Sequence, residues 1–369
     1  MRRRIPVFIA IVQSILFLVH FAIYGTWIFF WGVTDPSARI ALQGAFAFLS
    51  VSFVAASLLA FRFYNFLARI FYTLAAVWLG IVNFLFLASC GCWALYIVPA
   101  MFGTHLDRRP VVVVFFGLAL LVSIYGLVNA SATRVKRITV KLPGLPETWR
   151  GRTAALVSDW HLGHVRNRRF VRRILRRLTA VGPDILFIAG DLFDGSAADL
   201  DRLAEPWAGF SVPHGSYFVA GNHEQFSSPA KYLETVKRCG IRVVNNEKII
   251  VDGLQIMGVH YRDSVDPENF RSILNRAAID RDVASILLVH TPDRIPIAEE
   301  AGISLQLCGH THCGQFFPFT LIVKRIYGQF AYGLNRFGDM AVYTSCGAGT
   351  WGPPFRVGSN PEIVLIRFE

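Results

Sequence analysis

Acidic residues are nearly absent from the first third of this chain. Up to Arg137 the sequence contains only Asp35 and Asp107, against 11 lysines and arginines, whereas the remainder contains 23 acidic and 26 basic residues. Most of the formal net charge of +12 therefore belongs to the first third. A basic charge confined in this way, without an aromatic and basic binding motif, does not indicate a nucleic-acid partner.

Cysteines are also few and scattered. The spacing of the six shows no dense disulfide framework. Cys90 and Cys92 lie within an apolar run, where small buried thiols are common. This pattern fits a compartment that keeps thiols reduced.

Long apolar runs are abundant, and they are concentrated before about residue 133. The chain is 53% hydrophobic with a mean hydropathy of +0.43, which is too apolar for an ordinary soluble protein. Four runs reach the roughly 20 residues that a helix needs to cross a bilayer: 6–31, 40–61, 70–97 and 111–129. The first is too long for the apolar part of a signal peptide and lacks a clear cleavage site, so we expect a retained helix. Residues 1–132 are predicted to be a membrane region with four transmembrane helices.

Basic residues beside the four runs predict their orientation. One side holds three of them, Arg39, Arg108 and Arg109. The other side holds eight: Arg2, Arg3, Arg4, Arg62, Arg69, Arg134, Lys136 and Arg137. Because basic loops stay in the cytoplasm, both termini and residues 133–369 are predicted to be cytoplasmic, at an inner or plasma membrane.

Polar residues are rare within the runs. His20, Gln43, Asn83 and Asn129 lie within the runs or at their ends, and they are expected to form hydrogen bonds between helices. No carboxylate lies inside a run, which argues against a proton-driven transporter.

After Arg134 the pattern changes to short apolar runs that alternate with helical stretches. Nine runs have the length and composition of strands: RITVKL, TAALVSD, DILFIAGD, GSYFVAGNH, LQIMGVH, SILLVH, SLQLCGH, MAVYTSCG and EIVLIRF. Their apolar character predicts strands that are buried on both faces. Residues 133–369 are therefore predicted to form an α/β domain.

Five of these runs end in oxygen- or imidazole-bearing residues. In chain order, the residues at the five ends are Asp159 and His161; Asp191, with Asp194 beyond it; Asn222, His223 and Glu224; His290; and His310 and His312. Each fragment alone has a plainer reading, as a structural histidine or a helix-capping aspartate. The ordered set of five is very unlikely by chance, and ligands bind at the carboxyl ends of strands in α/β sheets.

This set resembles the calcineurin-like metallophosphoesterases over about residues 134–369. The late segments GHTHCGQ and FRVGSNPEIVLI resemble a bacterial subgroup of membrane-associated phosphodiesterases, which includes UDP-2,3-diacylglucosamine hydrolases. The resemblance implies a β-sandwich flanked by helices, and the strand pattern permits that fold.

The resemblance also implies a role for each residue. Two divalent ions would be held, with manganese favoured and iron or zinc as alternatives. The ligands would be Asp159, His161 and His312 for the first ion, Asn222, His290 and His310 for the second, and Asp191 for both. His223 would protonate the leaving oxygen, and Glu224 would orient His223. Asp194 would either orient Asn222 or His223, or cap a helix.

Geometry adds one expectation about these ligand pairs. Alternate residues of an extended strand point to opposite sides, so the D-x-H and H-x-H pairs must lie on bent loops beyond the strand ends. The glycine of GHTH, Gly309, would permit such a bend.

Two departures from the family bear on the substrate. GDLFDG and VAGNHE both lack the arginines of the phosphoprotein-phosphatase branch, which argues against a protein serine/threonine phosphatase. The membrane region favours hydrolysis of a phosphodiester or pyrophosphate in a lipid-linked substrate, such as a UDP-acylated sugar. The alternatives are a broad-specificity phosphodiesterase acting on soluble esters and a non-catalytic metal-binding sensor or scaffold. No pattern specifies an oligomeric state.

Two further segments each have more than one interpretation. The basic helix of residues 166–178 is either a solvated face over the core, or a dock for anionic lipid or a pyrophosphate head group. The run 316–323 is favoured as a buried strand, but it could instead line an acyl-chain groove or enter the membrane interface.

Overall fold

The computed structural model describes residues 4–226 and 228–369. Arg2 and Arg3, on which the orientation argument partly rests, lie outside the described residues, and Arg4 is described only as the first residue of a helix. The chain divides into two compact units. The first comprises residues 1–128 and 352–355, and the second comprises residues 129–351 and 356–369.

The first unit is built from four long helices, each of which contains one of the predicted apolar runs. They are α1 (Arg4–Trp31), α2 (Pro36–Arg62), α3 (Phe66–Ala100) and α4 (Arg108–Asn129). Side chains cap two of them: Asp35 accepts from the backbone N–H of Ala38 at 2.8 Å, and Asn65 accepts from that of Ala68 at 2.9 Å. All four helices are long and apolar enough to cross a membrane.

Polar side chains join these helices at a few places. Trp78 Nε1 donates to His20 Nε2 at 2.9 Å, as expected of a hydrogen bond between helices. Asn129 behaves differently from the expectation. Its amide donates to the carbonyl oxygens of Arg356 and Ser359 at 3.0 and 3.1 Å, so it belongs to the second unit.

Within the described residues, the second unit contains twelve strands and seven further α-helices. The strands are β1 (Arg134–Val140), β2 (Thr153–Val157), β3 (Ile185–Ala189), β4 (Ser216–Val219), β5 (Arg242–Val243), β6 (Glu247–Val251), β7 (Leu254–Gly258), β8 (Ser285–Leu288), β9 (Leu305–Cys308), β10 (Gly333–Phe337), β11 (Met340–Thr344) and β12 (Glu362–Phe368). The helices are α5 (Arg168–Val181), α6 (Leu200–Ala204), α7 (Pro229–Arg238), α8 (Tyr261–Ser264), α9 (Pro267–Ala277), α10 (Ile295–Glu300) and α11 (Phe319–Tyr327).

The strands form two six-stranded sheets. Their orders are β1-β12-β2-β3-β4-β5 and β10-β11-β9-β8-β7-β6. The inner faces pack on each other through residues such as Leu156 and Phe187 of one sheet and Ile286 and Leu307 of the other, all fully buried. All nine predicted strand segments contain a strand, and the predicted fold class is confirmed. The strands that the sequence did not reveal, β5, β6 and β10, are short or lie at sheet edges.

Helices cover the outer face of each sheet. The apolar stripe of α5 is Val171, Ile174, Leu175 and Leu178, and it packs on outward-facing residues of β2 and β3. The second sheet is covered in the same way by α9 and α10. Because both faces of each sheet are covered, the central strands are buried on both sides, as their continuous apolar sequence predicted.

The run 316–323 is not the buried strand that we favoured. It leads into helix α11, and none of the residues of α11 is buried. Pro318 interrupts the run, and proline cannot donate to a strand ladder but tolerates the start of a helix.

The sandwich core generates the first prediction. Leu156→Ala should destabilise the second unit by about 2–5 kcal/mol, because Leu156 is fully buried between the sheets. Leu334→Ala on β10 is the matched control, since Leu334 is 42% exposed. Thermal unfolding of the full chain in detergent should show a lower Tm for the first variant alone. Equal Tm shifts in the two variants would contradict the packing described here.

Candidate metal centre

The predicted ligands come together beyond the carboxyl ends of five strands. Asp159 and His161 follow β2, Asp191 follows β3, Asn222 follows β4, His290 follows β8, and His310 with His312 follow β9. The first three strands are adjacent in one sheet, and β8 and β9 are adjacent in the other. The site therefore lies at one edge of the sandwich, with both sheets contributing side chains.

Most of these residues have an uncommon backbone conformation. Positive φ angles of 48–67° occur at Asp159, His161, Asp191, His310 and His312. Each such residue costs about 1–2 kcal/mol, although Asp and His tolerate this region better than most side chains. The bends beyond the strands are thus made by the ligands themselves.

Gly309 has a different role from the one expected of it. Its φ is not positive, so it does not supply the bend. A Cβ at this position would lie 2.3 Å from Asp159 Oδ2 and 2.4 Å from Ser158 Oγ. Glycine is required here because the loop carrying His310 passes directly against Asp159.

The first group of ligands consists of Asp159, His161 and His312. His161 Nε2 lies 2.9 Å from His312 Nε2, and Asp159 Oδ1 lies 3.5 Å from His312 Nε2. The ligand atoms of all three lie within 4.8 Å of one another. Burial holds the pKa of both imidazoles well below the usual value, so both rings are neutral and can offer lone pairs.

The second group consists of His290, His310 and Asn222. His290 Nε2 lies 3.2 Å from His310 Nδ1 and 3.0 Å from Asn222 Oδ1. The other ring nitrogen of His290, Nδ1, is 2.8 Å from the carbonyl oxygen of Ala189. That backbone contact fixes the ring so that Nε2 faces the centre of the site.

Asp191 lies between the two groups. Its Oδ2 is 3.1 Å from His290 Nε2 and 4.0 Å from His161 Nε2. Burial alone would raise the pKa of Asp191, but the neighbouring histidines hold it well below its usual range. Conversely, Asp191 overcomes the effect of burial and raises the pKa of His290 to about 10. A buried carboxylate therefore sits within reach of both ligand groups.

The donor set fits divalent cations. Imidazole nitrogens and carboxylate oxygens are the ligands that manganese, iron and zinc accept. His161 Nδ1 is buried without a hydrogen-bond partner, 3.7 Å from Asp194 Oδ1, while Nε2 faces the other ligands. Two neutral imidazoles whose Nε2 atoms converge beside a buried carboxylate are the arrangement that a cation would stabilise.

His223 lies beside the predicted ligands, and its ligand atom is within 4.8 Å of those of His161 and Asp194. Its Nε2 is 4.0 Å from Asp191 Oδ2, and its Nδ1 is 2.8 Å from the backbone carbonyl of Asp194. Burial would lower the pKa of His223, but Asp191 and Asp194 raise it above the usual value. Asp194 thus contacts His223 through its main chain and His161 through its carboxylate, rather than capping a helix.

Glu224 contacts the backbone beside Asp191, and its role in orienting His223 stays a prediction. Its carboxylate accepts three backbone N–H groups, from Gly221, Asp191 and Phe193, at 2.8, 3.0 and 3.0 Å. Burial and the charge of Asp191 raise the pKa of Glu224 to about 7. The residue ties the loop after β3 to the loop after β4, and so fixes the position of Asp191.

Arg356 is a site residue that no sequence motif singles out. Its guanidinium is fully buried and donates to the carbonyl oxygens of His312, Cys346 and Gly349 at 2.8, 2.7 and 2.6 Å. Its Nη2 also lies 3.1 Å from His312 Nδ1. Arg356 therefore holds the loop that carries His312. The segment FRVGSNPEIVLI contains it, but no local pattern links it to the distant histidine.

Comparison with known proteins identifies the family. The calcineurin-like phosphoesterase family profile matches residues 153–314. The chain is 30% identical to an Aquifex aeolicus metallophosphoesterase over 68% of this chain and 98% of that protein. It is 27% identical to a Campylobacter jejuni metallophosphoesterase over 88% of this chain and 89% of that protein. A zebrafish transmembrane protein with a metallophosphoesterase domain is 31% identical over 66% of this chain and 59% of that protein.

The chain belongs to the calcineurin-like phosphoesterase family and is a metal-dependent phosphoester hydrolase. Its family implies divalent metal ions and a phosphoester substrate. Four helices able to span a membrane, together with relatives that are named transmembrane proteins, indicate a membrane protein. The narrower subgroup of UDP-2,3-diacylglucosamine hydrolases stays a prediction.

The contacts of Glu224 generate the second prediction. Glu224→Gln should lower metal affinity by about 10–100-fold, because an amide cannot accept all three N–H groups that position Asp191. His223→Gln should leave metal content unchanged. Titration of the metal-free chain with manganese, read by metal analysis after dialysis, compares them.

Glu247→Gln is the control for Glu224→Gln, since the Glu247 side chain is 43% exposed and pairs with Arg242 at the surface. If Glu224→Gln bound metal like the unaltered protein and lost only turnover, the role of Glu224 would be the one expected from the resemblance.

Proposed function

We propose that this chain is a membrane-anchored phosphoesterase that hydrolyses a phosphodiester or pyrophosphate bond in a lipid-linked substrate, such as a UDP-acylated sugar. The observation that carries the reaction type is the placement of Asp191 between two groups of ligands, with His223 beside them. We assign Asp159, His161 and His312 to one cation, Asn222, His290 and His310 to the other, and Asp191 to both.

The cations would supply Lewis acidity and a water of lowered pKa, and we favour manganese. The residues of the chain supply the remaining roles. His223 donates from Nδ1 to the carbonyl of Asp194, which leaves Nε2 to hold the proton that passes to the leaving oxygen. Burial would lower the pKa of His223, but Asp191 and Asp194 raise it, which favours that proton on the ring.

Exposed aromatic rings beside His223 support a substrate with a flat or apolar group. The ring centroids of Phe226 and Trp351 lie 5.4 and 5.7 Å from that of His223. These side chains are 46% and 57% exposed, although aromatic side chains of this size are usually buried. A nucleobase could stack on such rings, and an acyl chain could pack against them.

The chain connectivity supports a substrate in the membrane. Four residues, 130–133, separate the end of α4 from the start of β1. A segment of that length reaches at most about 14 Å. If α4 spans the bilayer, the start of β1 lies close to lipid head groups. We propose that it faces the cytoplasm at an inner or plasma membrane, as the distribution of basic residues predicts.

The basic helix α5 is partly neutralised. Arg172 and Arg168 pair with Glu205, the former at 2.8 Å. Arg169, Arg172 and Arg176 nevertheless line a surface cavity of about 670 Å³. A solvated basic face and a dock for anionic lipid therefore both remain predictions for this helix.

A third prediction tests the activity. The purified full chain should hydrolyse bis-p-nitrophenyl phosphate when manganese is added and lose turnover with EDTA. His223→Gln should lower the rate by about 10²–10⁴-fold while retaining bound metal. A chain that binds metal at an intact site and shows no turnover would instead be the non-catalytic sensor or scaffold.

Lipid extracts then test the substrate class. Cells whose only copy carries His223→Ala should accumulate a nucleotide-linked or phosphorylated lipid. Unchanged lipids together with an accumulating soluble phosphodiester would favour the alternative, a broad-specificity enzyme acting on soluble esters.

A further inference from the structure

Helix α11 exposes its apolar side to solvent. Phe319, Ile322 and Ile326 are 45%, 50% and 66% exposed, and Leu321 is 59% exposed. The first three follow a spacing of three and four residues, so they form one stripe along the helix. A helix on a soluble surface normally buries this stripe against its own core. An exposed apolar patch of this kind marks a binding surface.

The charged residues of the chain segment that contains the stripe are all positive. From Gln315 to Gly338 the sequence contains Lys324, Arg325 and Arg336 and no aspartate or glutamate. Lys324 and Arg325 lie on α11 itself and are exposed. An apolar stripe flanked by cations is typical of helices that lie in the interface of an anionic bilayer.

The helix is attached directly to the metal-binding loop. A Cβ on Gly314 would lie 2.4 Å from the backbone nitrogen of Thr320, so α11 packs against the chain two residues after His312. Thr311, between the two loop histidines, donates to the carbonyl of Ala331 at 2.8 Å. The start of α11 and the segment that follows it are thus both joined to the loop that carries His310 and His312.

We propose that α11 lies in the membrane interface, with Phe319, Ile322 and Ile326 among the acyl chains and Lys324 and Arg325 at anionic head groups. The site would then open at the bilayer surface, where a lipid-linked phosphoester could reach it without leaving the membrane. This inference rests on the proposed membrane anchoring, but it does not depend on the identity of the substrate.

Photocrosslinking tests the contact itself. The full chain, with p-benzoylphenylalanine in place of Ile326, is reconstituted in vesicles of phosphatidylethanolamine and phosphatidylglycerol that contain radiolabelled phospholipid. Ile250 on β6 is a matched control, because it is an isoleucine with the same 66% exposure outside the helix. We expect about tenfold more lipid label at position 326 than at position 250. Equal label at the two positions, or a crosslink from 326 to a second copy of the chain instead of lipid, would overturn the proposal.

A second variant connects the contact to hydrolysis. Ile322→Asp with Ile326→Asp should lower hydrolysis of a lipid-linked phosphodiester in vesicles by about tenfold and change hydrolysis of bis-p-nitrophenyl phosphate less than twofold. Ile250→Asp should change neither rate. Equal losses on both substrates would contradict an interfacial role. If the unaltered chain hydrolysed no lipid-linked ester, the proposed function would fail, whereas the lipid label at position 326 would still decide the place of α11.

Discussion

The buried carboxylate of Asp191 is the feature on which the rest of the site depends. It lies between His161 and His290, in a region where burial opposes any charge. A buried carboxylate is tolerated only when it is paired and hydrogen-bonded, and here histidines from both sheets surround it. For this reason we assign it to both cations: it lies between predicted ligands that come from separate sheets.

Holding these groups together requires support from the surrounding loops. Five of the predicted ligands have positive φ angles, so the loops are strained and must be fixed by contacts elsewhere. Glu224 binds the backbone beside Asp191, and Arg356 binds the backbone of His312. Neither side chain needs to contact a cation to affect metal binding, because each positions a predicted ligand.

Local sequence patterns were sufficient to predict most strands of the sandwich. They were also sufficient to predict the set of candidate ligands that meet at one edge of it. Each apolar run of strand length can be recognised as a strand on its own, and the residues that follow these strands lie at one edge of the fold. The backbone contacts of Glu224 and the contact of Arg356 with His312 could not be predicted from the sequence, because they join loops that are far apart along the chain. Helix α11 was mistaken for a strand because an apolar run of this length does not by itself separate a buried strand from an exposed helix.

The shared position of Asp191 is tested most directly by anomalous diffraction. Crystals of the full chain, grown with the metal that it binds, would be measured at the absorption edge of that metal. The account predicts two peaks about 3.5–4 Å apart, one beside His161 and His312, the other beside His290 and His310, with Asp191 between them. A single peak, or two peaks that Asp191 does not bridge, would contradict it.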